Sequence, residues 1–355
     1  MSATLAQIQP APEIAPLIAV RPAPVPAPIP CIDVCIATYR RPGSLAALLG
    51  SLSRQETDGA FRYRLIVVDN DRLRSGEQTV RRFAAEGLDV TYAVEPRQNI
   101  ALARNLGFGL ATSELIATID DDEVAPPGWL RQLLVAMRAH DADVVRGRVA
   151  YVFAGRVSPL VIRSRAFDYP NPETGASEGF AMGTGNMLIR RDALNALPTL
   201  LDPALGRTGG SDGELFRRMK AAGSKIIWCR EAASLEIVSP ARATWRRIFV
   251  HEFRLGNNFD QVRHQPPQRL RAGLWDVAGE VSKMLGCAAR APFGQGRLDA
   301  ALIHLRESIR KLGRLSVGFG VRLEEYTESG PRLIFARRRH PDTGWTLPLA
   351  FGSRR

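Results

Sequence analysis

The run Ile119-Asp120-Asp121-Asp122-Glu123 gathers four acidic side chains into one short turn, between an apolar stretch beginning at Leu115 and the pair Pro126-Pro127. Four like charges this close repel one another unless a cation offsets them. In the period-2 geometry of a strand end, Asp120 and Asp122 point the same way. Two carboxylates on one side suit a hard divalent ion that keeps positions open for phosphate oxygens. Taken alone, the run also fits an acidic, solvated turn. A second acid, Asp212, follows Gly209 and Gly210, which permit an unusual backbone, and precedes a helical stretch. An aspartate there is either the N-cap of that helix or a carboxylate held rigidly toward a cleft. Glu214 fits an acid in the first turn that complements the helix dipole.

Other chemistries lack their residues. Gly107-Phe-Gly109 has no third glycine and does not open a helix after a strand, which argues against a dinucleotide fingerprint. No GxxxxGK[ST] loop occurs, and the five histidines form no HExxH pair. The four cysteines, Cys31, Cys35, Cys229 and Cys287, make no CxxC pair, so neither a zinc site nor a disulfide framework is expected, and a reducing compartment follows.

The elements that must position these acids read as an alternation. Ile32 to Thr38 is apolar and β-rich, and Ser44 to Ser53 carries leucines at helical spacing. Tyr63 to Asp69, Asp89 to Glu95 and Leu115 to Ile119 read as strands; Gly76 to Glu86, Ile100 to Leu110 and Trp129 to His140 read as helices. This order predicts an α/β fold with a mainly parallel sheet covered on both faces. Ligands of such sheets bind beyond the carboxyl ends of the strands, and three strands here end in polar residues: Thr38-Tyr39-Arg40, Asp69-Asn70-Asp71 and Asp120-Asp121-Asp122. Further on, Val144 to Phe153, Gly179 to Arg190 and Lys225 to Cys229 look extended, and Glu214 to Ala222 looks helical. After Pro240, Leu274, Ala278, Val281, Leu285 and Ala288 recur at helical spacing, as do Leu298, Ala301, Leu302, Leu305, Ile309 and Leu312.

Of 355 residues, 45% are hydrophobic and 24% charged, ordinary for a globular chain. The net charge of +12 is unevenly spread: residues 1–240 carry 27 Lys and Arg against 26 Asp and Glu, residues 241–355 carry 21 against 10. A basic last third implies an anionic partner surface, with nucleic acid and anionic lipid as candidates. No apolar run is long enough to predict a membrane-spanning helix. Residues 1–30, rich in Pro and Ala, predict a disordered leader, and the N-terminus lacks the basic region of a signal peptide.

Seven segments resemble, in order, those of inverting family 2 glycosyltransferases of the GT-A fold, within them the bacterial exopolysaccharide enzymes of the succinoglycan type. They are Val34 to Pro42, Leu65 to Asn70, Asn99 to Asn105, Ile119 to Glu123, Gly183 to Met187, Gly209 to Phe216 and Glu236 to Arg242. The tail from Gly313 to Tyr326 is similar to the end of that subgroup. The resemblance implies a nucleotide-sugar half over 31–142, an acceptor half over 143–256 and a basic helical region over 257–355. It implies that Thr38, Arg40, Asp69, Arg104, Asp120 and Asp121 contact a UDP-sugar, and that Asp120 and Asp122 form a DxD motif holding Mg²⁺ or Mn²⁺. Asp212 falls on the family's general base, with Ser211 where a glutamate is usual. Gly183, Thr184, Asn186, Ser211 and Arg254 would meet the acceptor; His251 stands where an arginine is common. The processive Gln-x-x-Arg-Trp motif is absent, which implies one addition per encounter.

The activity so implied is transfer of a hexose, UDP-glucose being the default donor, to a polyprenyl-diphosphate-linked oligosaccharide, with a β-glycoside formed at the cytoplasmic face of the plasma membrane. Arg269, Arg271, Lys283, Arg290, Arg297, Arg306, Arg310, Lys311 and Arg314 would draw the tail to anionic lipid, unless these helices only pack on the catalytic domain. Two other classes fit the sequence less well. A nucleic-acid binder would use the basic tail, but RNP, KH and zinc-finger patterns are missing and aromatics there are sparse. A sugar-nucleotide pyrophosphorylase would need a Gly-rich basic loop after the first strand, which is absent.

Overall fold

The computed structural model describes residues 29–168, 170–178, 183–262, 270–294, 296–324 and 331–335. The expected disordered leader lies outside these residues except for its last two, as do Arg269, residues 179–182 of the expected extended run, and the end of the tail segment beyond Glu324.

The first half is built from β1 (Cys31–Thr38), α1 (Pro42–Leu52), β2 (Arg62–Asp69), α2 (Glu77–Ala85), β3 (Val90–Val94), α3 (Ile100–Leu110), β4 (Leu115–Ile119), a two-residue β5 (Glu123–Val124) and α4 (Trp129–Ala139). Pro42 opens α1, where its missing N–H costs nothing. Asn99 caps α3, its side chain accepting from the amides of Ala101 and Leu102. The second half adds β6 (Val144–Phe153), α5 (Pro159–Arg163), β7 (Asn186–Arg190), α6 (Arg191–Asn195), α7 (Ser211–Ala221) and β8 (Ile226–Val238). Three long helices follow, α8 (Trp245–Val262), α9 (Leu270–Ala289) and α10 (Arg297–Ser316), and then the hairpin of β9 (Val321–Glu324) and β10 (Arg332–Phe335).

One sheet runs through both halves in the order β3-β2-β1-β4-β7-β6-β8-β5. The strands β3, β2, β1 and β4 are all parallel, as expected. The second half is mixed: β7 is antiparallel to both β4 and β6, β8 is parallel to β6, and β5 is antiparallel to β8. β8 also runs nine residues past the expected Cys229.

The strand order places β2 and β3 on one side of β1 and β4 on the other. The chain therefore reverses direction across the sheet between β1 and β4, and the carboxyl ends of these two strands flank the crevice that such a switch creates. The core lies on both faces. Ile32, Val34 and Ile36 of β1 pack with leucines of α1 and α4 on one side. Cys35 joins Ile66, Val68, Phe108 and Phe216 on the other, under α3 and α7. This alternation is the period-2 pattern of a strand covered twice.

Among the described residues no helix is long and apolar enough to cross a membrane. The last three helices form a layer in which α10 packs on both α8 and α9. Five of the expected lipid-facing cations have partners within that layer. Arg306 and Arg310 donate to the buried Glu252 of α8 at 2.7 and 2.9 Å. Lys283 and Lys311 bond Glu280 of α9 at 3.0 and 2.8 Å. Arg314 lies over the Phe259 ring, 4.4 Å from its centroid. The periodicity of α10 is that of a helix packed on two sides, and Arg306, Arg310, Lys311 and Arg314 have partners there.

Candidate active site

The loop after β4 separates the four acids into different environments. Asp120, the most solvent-accessible of the three aspartates at 42% exposure, accepts from Arg104 Nη2 at 2.7 Å. Asp121 turns inward: its carboxylate takes the Thr38 hydroxyl at 2.8 Å and Arg41 Nη1 at 3.0 Å. Burial pushes the Asp121 carboxyl up to about 6, against the opposing charge of Arg41. Asp122 accepts from Arg41 at 2.9 Å and from Arg242 at 2.8 Å. Arg242 reaches Glu236 with its other terminal nitrogen at 2.7 Å. Glu236 and Glu123 are cross-strand partners between β8 and β5. Burial raises Glu123 well above the usual carboxylate range and Glu236 to about 7, with Asp120 the next cause for the first and Asp122 for the second.

Asp212 belongs to the same site. Gly209 and Gly210 both adopt left-handed backbone, with φ of 84° and 97°, which L side chains rarely tolerate. Gly210, not Asp212, is the N-cap of α7. The carboxylate is thereby released from capping. It accepts from Arg104 Nη1 at 2.9 Å and from the Thr184 amide at 3.3 Å. Arg104 of α3 thus holds Asp120 with one nitrogen and Asp212 with the other, so the strand-end acid and the distant aspartate face one space. Thr184 is fixed in turn by its carbonyl, which accepts the hydroxyl of Thr118 on β4.

Close packing keeps this space narrow. A Cβ on Gly185 would meet Asp120 Oδ2 at 2.6 Å and Glu123 Oε1 at 3.0 Å, closer than such atoms approach. Arg146 of β6 is buried behind it, donating to the Asn186 carbonyl at 2.6 Å. Burial lowers its guanidinium to about 10, while Glu123, Asp212 and Asp120 favour the charged form.

Several expected ligand contacts are placed elsewhere. Asp69 is fully buried and both its oxygens are engaged: Oδ1 accepts from the Asp71 amide at 2.9 Å, and Oδ2 from the Gly76 amide at 2.7 Å and the Tyr92 hydroxyl at 2.9 Å. The loop after β2 turns its amides inward, and Asp69 is what satisfies them. Asn186 is buried as well. It accepts from the Trp129 indole at 2.9 Å and donates to the carbonyls of Arg148 and Ala232, locking β7 to its neighbours. Ser211 is buried at the first turn of α7, with its hydroxyl 3.4 Å from Asp212. Arg40 pairs with Asp71 at 3.3 Å at the crevice edge. Arg254 of α8 sits beneath the glycine pair, where a Cβ on Gly209 would meet its Nη1 at 2.6 Å, and it shares a bond with His251. Burial, and then the neighbouring arginines, push His251 down to about 3. Gly183 lies beside Arg146, whose Nη2 is 3.7 Å from a Cβ built there.

Arg41, Arg242, Glu236 and Glu123 were given no role by the sequence, although each lies within or beside a quoted segment. What would have marked them is charge balance: four acids in one turn need basic partners from elsewhere in the chain.

Whether a divalent cation suits these residues is testable on the donor set. Among the described residues no three acidic, histidine or cysteine side chains stand together as a ready metal cage. Asp120 and Asp122 instead meet guanidinium groups, which already occupy the place of a positive charge. Glu123 Oε2 is buried beside them with no hydrogen-bond partner. Asp120 is accessible at 42% exposure and Asp122 is mostly buried at 16%; an all-oxygen pair of this kind suits a hard cation whose shell is completed by phosphate and water.

Residues 33–197 match the pattern described as Glycosyl transferase family 2. The chain is 33% identical over 261 residues to the succinoglycan biosynthesis protein ExoM of Rhizobium meliloti (strain 1021), covering 73% of this chain and 84% of that protein. It is 22% identical over 258 residues to glycosyltransferase AglE of Haloferax volcanii, covering 71% and 82%. Among solved structures, S. aureus TarS 1-349 superimposes with a TM-score of 0.47 at 14% identity, covering 89% of this chain and 98% of that one.

Proposed function

The chain belongs to glycosyl transferase family 2, and from that premise we propose that it moves a hexose from a UDP-sugar, UDP-glucose foremost, to a hydroxyl of a polyprenyl-diphosphate-linked oligosaccharide. The product is a β-glycoside in exopolysaccharide or other cell-surface polysaccharide synthesis. The role of the 33%-identical relative in succinoglycan biosynthesis supports this setting. The observation that carries the reaction is the Arg104 bridge, which aims Asp120 and Asp212 into one space.

Displacing a diphosphate from an anomeric carbon builds negative charge on the leaving group and positive charge on the sugar. Arg41, Arg104 and Arg242 crowd the strand end where that negative charge would develop, and pre-placed cations there lower its cost. Asp122 and Asp120 would hold a Mg²⁺ or Mn²⁺ ion, which supplies Lewis-acid neutralisation of the diphosphate. An acceptor hydroxyl is too weak an acid to lose its proton unaided near neutral pH. Asp212, turned away from its helix cap, takes that proton as attack proceeds. Attack from the side opposite the diphosphate inverts an α-linked donor, through a transition state like that of glycoside hydrolysis.

Association with the inner face of the plasma membrane is supported by the apolar face of α9, where Leu274, Trp275 and Leu285 are exposed beside Arg271 and Arg290.

The test is a panel of UDP- and GDP-sugars incubated with the protein and lipid-linked acceptor, with released nucleotide measured. Acceptor-dependent release from one UDP-sugar is expected. Release confined to GDP-sugars, or from none of them with a divalent ion present, would sink the reading.

A further inference from the structure

Behind the strand-end acids lies a cavity of about 550 Å³, of whose lining only Gly183 has been given a role, toward the acceptor. Its size falls within the roughly 300–1,000 Å³ of small-molecule sites. Gly183 forms part of its wall, and the next residue, Thr184, donates its amide to Asp212. The cavity therefore reaches to within one residue of the group that binds the proposed base.

Two properties of the wall describe its occupant. The first is aromatic character. Phe167 packs edge-on against Tyr151 and Phe153, with centroids 5.5 and 5.2 Å apart, and Trp228 adds a further ring to the lining. A pyranose carries C–H groups on its faces and hydroxyls around its edge, so a ring wall takes the face and leaves the hydroxyls to polar groups. The second is charge. Arg146 is buried in the wall and its Nε has no hydrogen-bond partner. Arg148, exposed on the same strand, makes no ion pair among the described residues. Asp168 is the single acid among the described lining residues. His251, also in the wall, is neutral near pH 7, because burial and then the neighbouring arginines both disfavour its charged form. Arg146 has Glu123, Asp212 and Asp120 near it, which leaves Arg148 as the cation open to an anion in this partly enclosed aromatic space.

Resting on the transfer reading above, we infer that this cavity receives the end of the acceptor glycan and selects one bearing an anionic substituent, a carboxylate or a phosphate, against Arg148.

The test titrates the full chain, with UDP present, with four disaccharides: one ending in glucuronic acid, the methyl ester of that acid, a sugar-phosphate analogue, and the neutral glucose disaccharide. At least one anionic probe should bind roughly tenfold more tightly than the neutral one, the scale of one charge-assisted hydrogen bond. Whichever of the acid and the phosphate binds better identifies the source of the charge. Arg148→Gln, at an exposed position that leaves folding intact, should abolish that preference with UDP affinity unchanged. Phe167→Leu should weaken all four alike. Equal binding of charged and neutral sugars, a preference that survives Arg148→Gln, or stronger binding of farnesyl diphosphate than of any sugar would overturn the inference. UDP affinity is read in the same titration. If the unaltered chain ignored UDP, the transfer reading would fall and this inference with it; intact UDP binding with indifferent sugars would remove the inference alone.

Discussion

Arg104 stands between two carboxylates that the chain separates widely, and its guanidinium geometry explains the pairing: one planar fork presents parallel donors to two acceptors at once. In the proposed reaction the carboxylate of Asp212 has a different task from that of Asp120, which would face the diphosphate. Asp212→Asn keeps the shape and removes the proton acceptor. Its turnover should fall by roughly 10²–10⁴, the usual worth of a general base, while UDP affinity by calorimetry stays within error; near-normal turnover would remove Asp212 from this role. Glu236 offers a second prediction, in pH. Its folded-state value is about 7 against an ordinary 4.5. Between those values the folded protein holds a proton that the unfolded chain has released, so stability falls as pH rises through the window and the loss is complete above it. Glu236→Gln removes that penalty, and Arg242 keeps Asp122 as partner. The variant should melt higher than the parent at pH 8, by roughly 1–2 °C for each kcal/mol recovered, with no gain at pH 4. A uniform shift at both pH values would contradict the titration argument.

At the scale of elements, the helices after β8 are part of the catalytic fold. Asn258 of α8 donates to the Thr208 carbonyl just before the glycine pair, and Arg254 lies beneath it. Cutting the chain after Ser239 would therefore disturb Asp212 as well as remove the tail. α8 and α10 approach so closely that a Cβ on Gly256 would run into the Arg310 carbonyl, and one on Gly313 into that of Phe253. Gly313→Ala should cost about 1–3 kcal/mol through overpacking, seen as a lower midpoint in a denaturant melt; unchanged stability would mean the two helices can part freely. The sequence showed the periodicity of α9 and α10 but did not reveal α8, whose apolar residues are interrupted by Arg246, Arg247, Glu252 and Arg254. Those charges look solvated in one dimension. In three, Glu252 is buried between Arg306 and Arg310, an arrangement that only the helix packing supplies.

For the whole molecule, the split in net charge and the folded surface say different things. The basic third suggested attraction to lipid by many cations, yet Arg306, Arg310 and Arg314 of α10 turn inward to Glu252 and Phe259. The outward face of α9 carries Trp275 at 70% exposure, with Leu274 and Leu285 above half. Trp275→Asp together with Leu274→Asp should abolish flotation with anionic vesicles and leave nucleotide binding intact. Undiminished flotation would place any membrane contact elsewhere.

The sequence alone determined the alternation that makes a parallel α/β half, the strand ends that carry acids, and the two aspartates worth attention, because period-2 and period-3.6 patterns and glycine pairs are local signals. Only the tertiary structure decided which acid faces which cation. Successive residues after β4 leave the strand in different directions, so Asp121 turns inward to Thr38 while Asp120 and Asp122 meet arginines from α3, from the start of α1 and from the segment after β8. The same holds for Asp69 and Asn186, whose polar side chains look available in a list of residues. Whether such a group meets solvent or satisfies a buried amide depends on neighbours that arrive from distant parts of the chain.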